Sequence, residues 1–143
     1  MTVAWILKQK GRNVISALPG TSVEHAVTLL EKHNIGAVVV VDEHHRVQGI
    51  VSERDIVRIL ATEGPGALSE PVAGHMTRNV VVCTENHSID WLMEQMTTRR
   101  FRHIPVAENG RLAGIVSIGD VVKHKLAMAE SEAAQMRQYI ATG

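Results

Sequence analysis

Aromatic side chains are scarce in this chain of 143 residues: they make up 3% of it and are limited to Trp5, Trp91, Phe101 and Tyr139. Proteins that bind single-stranded nucleic acid by stacking its bases use more rings than this. The chain also lacks an excess of positive charge, because 15 Lys and Arg residues balance 15 Asp and Glu residues. Nucleic-acid-binding domains usually carry a basic excess, so both deficits argue against such a partner.

Cysteine and long apolar runs are equally limited. Cys83 is the only cysteine, which excludes an internal disulfide and a cysteine-cluster metal site. It ends an apolar run that starts at Val80, where a buried thiol is the ordinary outcome and a reactive thiol is the alternative. The longest apolar run, Ile35–Val41, is too short to cross a membrane, and Met1–Leu7 lacks the basic start of a signal peptide. We therefore expect a cytoplasmic protein without membrane contact.

A chain of this length can form one ordinary domain or two small ones. An internal repeat favours two similar units. Gly49–Val57 recurs as Gly114–Val122 with six of nine residues identical. The upstream matches are Val38–Val41 with His103–Val106 and, with one residue lost in between, Thr21–Glu24 with His87–Asp90. The chain is therefore two copies of one unit.

Each copy has predicted elements in the order β-α-β-β-α, which indicates an α/β fold. Thr21 and Glu24 have the spacing of a capping box at the first helix. A unit of about 60 residues is marginally stable alone, so we expect the two sheets to pack against each other. The predicted elements are extended segments Asn13–Ala17 and Asn79–Cys83, helices from Thr21 and Ser88, strands Ala37–Val41, Val47–Ser52, Ile104–Val106 and Leu112–Ser117, and helices Asp55–Ala61 and Asp120–Ala129. The apolar faces of the first helices are Val23, Ala26, Val27 and Leu30, and Ile89, Leu92, Met93 and Met96.

Composition divides residues 11–143 into four parts. Residues 11–62 form the first repeat and residues 75–128 the second. Residues 63–74 contain two glycine–proline clusters and are expected to form a linker. Residues 129–143 are rich in strong helix formers and are expected to form a C-terminal helical extension, while Thr2–Lys10 is expected to form a short N-terminal helix.

Two copies of Gly-Ile-Val-Ser-x-x-Asp, each behind a β-α-β segment, resemble a tandem pair of cystathionine-β-synthase (CBS) domains, or Bateman module. The resemblance covers about residues 11–126 and extends to small stand-alone bacterial CBS-pair proteins. It implies two repeats related by a pseudo-twofold axis, with an adenine nucleotide between them: AMP or NAD, with ATP as a further candidate. It also implies a homodimer that reports nucleotide state to an unidentified partner protein. The further segments that carry it are Asn34–Ala37, Ser52–Asp55, His75–Thr77, Arg102–Val106 and Ser117–Asp120.

The two Ser-x-x-Asp segments suit nucleotide chemistry. Ser52 and Ser117 precede predicted helix N-termini, whose free N–H groups and dipole attract phosphate. Asp55 and Asp120 can accept hydrogen bonds from both hydroxyl groups of a ribose. The alternative interpretation is an ordinary capping box, which stabilises each helix start without any ligand.

The resemblance implies two clefts, each built from both repeats, in which small residues admit the base and aliphatic residues cover it. The Asp120 cleft comprises Asn13, Ile15, Ile35, Gly36, Ala37, Ser117, Gly119 and Asp120, with Ile115 as a further aliphatic wall. The Asp55 cleft comprises Ser52, Arg54, Asp55, Asn79, Val81, Arg100, Arg102 and His103. The motif residues Met76, Ile104 and Pro105 complete the predicted site.

The copies differ where Ile118-Gly119 replaces Glu53-Arg54. Gly119 opens space, whereas Glu53 adds negative charge near a phosphate, so we favour the Asp120 cleft as the main adenosine site. Arg54 facing the central cavity could hold the second half of a longer ligand such as NAD. The alternative is a solvated basic edge, formed by Arg99, Arg100 and Arg102.

Motifs of enzymes are missing. The sequence contains no Gly-x-Gly-x-x-Gly fingerprint, no Gly-x-x-x-x-Gly-Lys loop and no His-Glu-x-x-His, so we predict no enzymatic activity. The eight histidines are scattered, and only His44 and His45 are adjacent, so no metal site is predicted. The competing function is a structural module that dimerises and docks a partner with empty clefts. Intact Ser and Asp residues in both copies favour nucleotide binding.

Overall fold

A computed structural model describes residues 1–142 and shows the repeated α/β architecture that the sequence predicts. In the first repeat, β1 runs parallel to β2, and β2 runs antiparallel to β3. In the second repeat, β4 and β5 form an antiparallel pair. The elements are α1 (Val3–Lys10), β1 (Ser16–Ala17), α2 (Val23–His33), β2 (Ala37–Val41), β3 (Val47–Ser52), α3 (Glu53–Glu63), α4 (Ile89–Arg99), β4 (His103–Glu108), β5 (Arg111–Ser117) and α5 (Ile118–Thr142).

The strand registers correct one detail of the predicted repeat alignment. Ala37 pairs with Ser52, and His103 pairs with Ser117. Ala37 and not Val38 is therefore the counterpart of His103, and the extra residue of the first repeat lies in the turn between β2 and β3. In both hairpins, the pairing register shifts at the same point of the first strand, after Val40 in β2 and after Val106 in β4. A longer turn is tolerated at the surface, whereas a shift inside the strand would exchange its two faces.

The first strand of each repeat is shorter than predicted, and in the first repeat it spans only Ser16–Ala17. Residues 79–83 make only one isolated parallel bridge, from Cys83 to Val106. In the first repeat, the N–H of Val39 donates to the carbonyl of Ile15 at 3.4 Å. The counterpart of Val39 is Pro105, which has no N–H to donate. Proline at this position therefore prevents the pairing from extending toward Val81.

A serine side chain caps the N-terminus of α2 and another caps the N-terminus of α4. Ser22 Oγ accepts from the N–H of His25 at 3.0 Å, and Ser88 Oγ accepts from the N–H of Trp91 at 3.0 Å. The capping box predicted from Thr21 and Glu24 is therefore wrong by one residue. Met93, predicted to be buried, has an exposed fraction of 39%.

The segment 63–74, predicted as a linker, packs on the first repeat through two short 3-10 helices, Pro65–Ser69 and Val72–Gly74. Ala67 and Val72 are buried in the core of that repeat. The N–H of Val72 also donates to the carbonyl of Thr21 at 2.7 Å. At the other end of the chain, α5 crosses residue 128, the predicted end of the second repeat, without interruption.

Three apolar clusters hold the molecule together. One lies within each repeat, and the second of these also contains Val3, Ile6 and Leu7 of α1. The third contains Val39 of the first sheet and Leu112 of the second. The predicted contact between the sheets is therefore present, and it positions the helix starts of the two repeats around a common cavity.

Candidate functional site

A cavity of about 480 Å³ lies between the repeats, where β3 leads into α3 and β5 leads into α5. This volume is within the range of small-molecule sites, about 300–1,000 Å³. Eleven predicted site residues line it: Gly36, Ser52, Arg54, Asp55, Asn79, Val81, Arg100, Arg102, His103, Ser117 and Gly119. Six further lining residues were not predicted: Ile50, Glu53, Thr77, Val80, Phe101 and Ile118.

Two of the missed residues could have been found from the repeat itself. Phe101 is the counterpart of Ile35, and Ile50 is the counterpart of Ile115; both counterparts were predicted as aliphatic walls. Applying each assignment to both copies would have placed an aromatic ring at the cavity. Phe101 therefore qualifies the expectation that only aliphatic side chains cover a bound base.

The backbone presents the two helix starts in the same way. The N–H of Glu53 donates to the carbonyl of Gly36 at 3.0 Å, and the N–H of Ile118 donates to the carbonyl of Arg102 at 2.8 Å. The first bond thus joins the N-terminus of α3 to the residue before β2, and the second joins the N-terminus of α5 to the residue before β4. The N-termini of α3 and α5 consequently meet at one cavity, where their dipoles favour an anion.

Both predicted capping boxes are formed. The N–H of Ser52 donates to Asp55 Oδ2 at 2.8 Å, and the N–H of Ser117 donates to Asp120 Oδ2 at 2.8 Å. In return, the N–H groups of Asp55 and Asp120 donate to the serine Oγ atoms at 3.3 and 3.2 Å. These residues therefore have a structural role at the two helix starts. Asp55 Oδ1 also lies 3.3 Å from Nη2 of Arg58.

The Asp120 side is occupied by a side chain from α1. Lys10 Nζ lies 2.7 Å from Asp120 Oδ2 and donates to the carbonyl of Ile115 at 3.0 Å. Burial raises the pKa of Asp120, but the hydrogen bonds from Lys10 and Ser117 outweigh it and leave that pKa below its usual value. The cavity thus reaches Asp55 but not Asp120, although Gly36, Ser117 and Gly119 of the predicted Asp120 cleft also line it.

His103 lies against Gly36 at the cavity. A Cβ atom added to Gly36 would lie 2.9 Å from His103 Cε1, so a larger residue there would require the imidazole to move. Burial lowers the pKa of His103, and the positive charge of Lys10 lowers it further. The imidazole is therefore neutral at neutral pH. Arg54, Arg100 and Arg102 are the cations that line the cavity.

Nine predicted residues do not line this cavity. Met76 and Ile104 belong to the cores of the first and second repeats. Ile35 packs against the first core, and Ile115 packs against the apolar cluster between the sheets. The others are Asn13, Ile15, Ala37, Pro105 and Asp120.

One of the scattered histidines does join a cluster. His75 Nδ1 lies 3.0 Å from a carboxylate oxygen of Glu63, and His75 Nε2 lies 2.5 Å from one of Glu70. Each ring nitrogen thus lies beside one carboxylate, Glu63 at the end of α3 and Glu70 in the segment 63–74. No residue spacing in the sequence indicates this contact, because the folding of segment 63–74 brings the three residues together.

The CBS domain family matches residues 11–62 and 72–127, and the chain belongs to this family. A crystal structure of a CBS-domain containing protein from Agrobacterium tumefaciens is 50% identical, covers 87% of this chain and 99% of its own, and superposes with a TM-score of 0.84. The mitochondrial CBS domain-containing protein CBSX3 of Arabidopsis thaliana is 32% identical over 99% of this chain and 73% of its own. A 17.7 kDa protein of Acidianus ambivalens is 36% identical, and the match spans 63% of its length.

Two similar structures contain ligands. The CBS domain pair of protein MJ0100, in complex with 5-methylthioadenosine and S-adenosyl-L-methionine, is 29% identical with a TM-score of 0.80 and covers 90% of this chain and 98% of its own. The CBS domain protein PAE2072 from Pyrobaculum aerophilum, complexed with AMP, is 25% identical with a TM-score of 0.75 and covers 84% of this chain and 89% of its own. Among residues 1–142, no helix is both long and apolar enough to span a membrane.

Proposed function

We propose that the chain binds an adenine nucleotide in the cavity between its two repeats and acts as a regulatory sensor. The observation that carries this proposal is the convergence of two helix N-termini and three arginines on one cavity of about 480 Å³. Guanidinium groups and helix N-termini both favour phosphate oxygens. The neutral His103 can donate one hydrogen bond without adding charge.

The cavity offers different surroundings to the two ends of such a ligand. Apolar side chains of Ile50, Val80, Val81, Phe101 and Ile118 line it beside the charged groups. A purine ring gains by burial against such a surface. The arginines and serines are then left for the phosphate and the ribose.

The ligands of similar structures support this class of molecule. AMP, 5-methylthioadenosine and S-adenosyl-L-methionine share the adenosine group, but only AMP carries a phosphate. Three arginines at the cavity favour a phosphorylated ligand, since each can form a bidentate hydrogen bond with phosphate. AMP and NAD are therefore our first candidates, followed by ATP. For NAD, we expect the pyrophosphate to lie beside Arg54 and Arg102.

The test is thermal unfolding and calorimetric titration with AMP, NAD and ATP. Free ligand at a hundred times Kd should add about 2.7 kcal/mol to the free energy of unfolding. Arg102→Ala should weaken binding by about tenfold or more, because a hydrogen bond to a charged group contributes about 1.5–3 kcal/mol. Arg99→Ala is the matched control, since Arg99 does not line the cavity. If both variants bind equally well, this assignment of the phosphate fails.

The regulatory role requires an assembly that passes the signal on. We propose a homodimer, supported by Val57 and Val122, which occupy equivalent positions on α3 and α5 and are 67% and 50% exposed. We further propose that the chain itself catalyses no reaction and that its output reaches an unidentified partner protein in the cytoplasm. Sedimentation of the purified chain with and without nucleotide tests the dimer.

The competing proposal is a structural module that dimerises without a ligand. The formed capping boxes support it, because Ser52, Asp55, Ser117 and Asp120 already stabilise helix starts. A chain that dimerises but shows no thermal shift with any adenine nucleotide would favour this role. Mass spectrometry of small molecules released from the purified protein provides an independent test.

A further inference from the structure

The C-terminal part of α5 carries an apolar stripe that no residue between 1 and 142 covers. Every residue from Ala129 to Thr142 is exposed. The large apolar side chains Leu126, Met136 and Ile140 are 60%, 60% and 69% exposed. We name as the C-terminal seam the six residues Val122, Leu126, Ala129, Ala133, Met136 and Ile140.

These six residues have the spacing of a coiled coil. They follow one another at alternating steps of four and three along the helix, which is the pattern of the a and d positions of heptads. The seam is distinct from the face of α5 that packs on the second repeat, where Val121 and His124 are buried. It is therefore one continuous exposed stripe on a regular helix.

We propose that the C-terminal seam pairs with the same seam of a second copy as a parallel two-stranded coiled coil. In parallel pairing, a g residue faces the e residue of the next heptad on the other helix. Lys125 then faces Glu130 of the partner subunit, and Glu132 faces Arg137 of the partner subunit. Both contacts join opposite charges, and each occurs twice across the dimer axis.

The charges oppose the antiparallel arrangement. If the helices ran in opposite directions with their seams in register, Glu130 and Glu132 would each face their own copy, and Lys123 would face Arg137. All three contacts join like charges, which destabilise such pairs. The same residues that favour the parallel dimer therefore disfavour its main competitor.

Helix stability also favours a partner for this segment. In proteins, most helical stability comes from the packing of an amphipathic face rather than from helix propensity. The segment 129–142 continues α5 but is exposed throughout. Burying Met136 and Ile140 between two copies would stabilise it. The small Ala129 and Ala133 permit close approach but contribute little apolar area, so the seam adds to a dimer rather than accounting for it alone.

One existing contact must be considered in the design of a test. Lys125 Nζ lies 2.5 Å from Asp90 Oδ1 on α4, so its charge is already shared within one copy. Glu132 and Arg137 have no such competing salt bridge among residues 1–142. They are the better pair for charge exchange.

Disulfide cross-linking of the full chain tests the orientation. In a Cys83→Ala background, Met136→Cys places one thiol at a d position, where two parallel helices bring identical residues together. Gln138→Cys, at an outward f position two residues away, is the matched control. We expect mild oxidation to link Met136→Cys chains into covalent dimers and to leave Gln138→Cys chains largely without a cross-link. Equal cross-linking of the two, or none in either, would overturn the proposal.

Charge exchange tests the partner contacts. Glu132→Arg and Arg137→Glu should each weaken the dimer, by about tenfold or more in Kd, because each creates two like-charge contacts. The double variant should restore the original affinity, which a merely local effect on the helix would not do. Sedimentation velocity measures the dimer, and circular dichroism checks the fold. Failure of the double variant to recover would contradict parallel pairing.

This inference deepens the proposed homodimer but does not depend on nucleotide binding. Thermal shift with AMP, measured on the same variants, separates the two. Cross-linking without a thermal shift on addition of AMP would support the C-terminal seam and contradict the sensor function. A thermal shift with AMP but no cross-linking would support the sensor function and contradict the C-terminal seam.

Discussion

Lys10 Nζ lies 2.7 Å from Asp120 Oδ2, so the N-terminal helix reaches the helix start of the second repeat. Within the described residues 1–142, the first repeat has no equivalent contact, because there the carbonyl of Ile50 accepts a hydrogen bond from the N–H of Thr77. In the second repeat, the corresponding carbonyl of Ile115 accepts from Lys10. A side chain thus takes the place of backbone, and a side chain can be displaced more easily.

Removing this contact should open the Asp120 side to a ribose. Lys10→Met keeps the apolar stem of the side chain and deletes the charge, so Asp120 is left free to accept hydrogen bonds from a ribose diol. We expect adenosine, which lacks phosphate, to bind the variant more tightly than the natural chain in calorimetric titration. Lys8→Met, in the same helix, is the control. Weaker adenosine binding in Lys10→Met would instead make Lys10 a ligand-binding residue.

Acid should destabilise the fold through a buried histidine. His124 is 4% exposed, packs edge-on against Trp5 and has an unpartnered Nδ1. Burial lowers its pKa, and the nearby Lys125 lowers it further. The unfolded chain then binds the proton more readily, so the free energy of unfolding should fall as the pH drops below about 6.5. Since the pKa of His103 is lowered as well, it adds to the same loss.

Chemical denaturation from about pH 7.5 to about pH 5 measures this loss. His124→Phe keeps a ring against Trp5 and should make the stability less dependent on pH. His33→Gln, on the exposed surface of α2, should leave the pH dependence as it is in the natural chain. An unchanged profile in His124→Phe would show that other groups cause the acid sensitivity.

Gly114→Ala should loosen the N-terminal helix. A Cβ atom at this position would lie 2.8 Å from Cδ2 of Leu7, which is only 1% exposed and has no room to move away. Overpacking of this kind costs about 1–3 kcal/mol of stability. Gly20→Ala is the control, because its Cβ would meet nothing within 4 Å. Leu7→Ala should remove the clash, so Gly114→Ala should reduce the free energy of unfolding less in a Leu7→Ala background than in the natural chain. An equal reduction in the two backgrounds would contradict this account.

Cys83 should be inert in the folded chain. The thiol is 1% exposed, and burial raises its pKa to about 12. Thiolate is the reactive form, so labelling by a thiol reagent at neutral pH should be much slower in the folded chain than in denaturant. Rapid labelling of the folded chain would revive the reactive-thiol alternative.

Much of the fold could be predicted because it depends on local chemistry and repetition. The duplicated Gly-Ile-Val-Ser-x-x-Asp motif predicted two helix starts, and both capping boxes are formed as expected. The predicted bounds of β2 and β3 are the observed bounds. The Thr21 assignment failed because Thr21 and Ser22 are both good caps, and the choice between them depends on where the chain enters the helix.

The sequence by itself determined the family, the two repeats and the class of residues at the cavity, because each follows from residue identity and spacing. Only the tertiary structure decided that Asp120 is paired with Lys10, since this contact joins residues that are far apart in the chain. The packing of segment 63–74 and the cluster around His75 depend in the same way on long-range contacts. The C-terminal seam depends on both levels. Its heptad spacing follows from the sequence, whereas its exposure is a property of the folded chain.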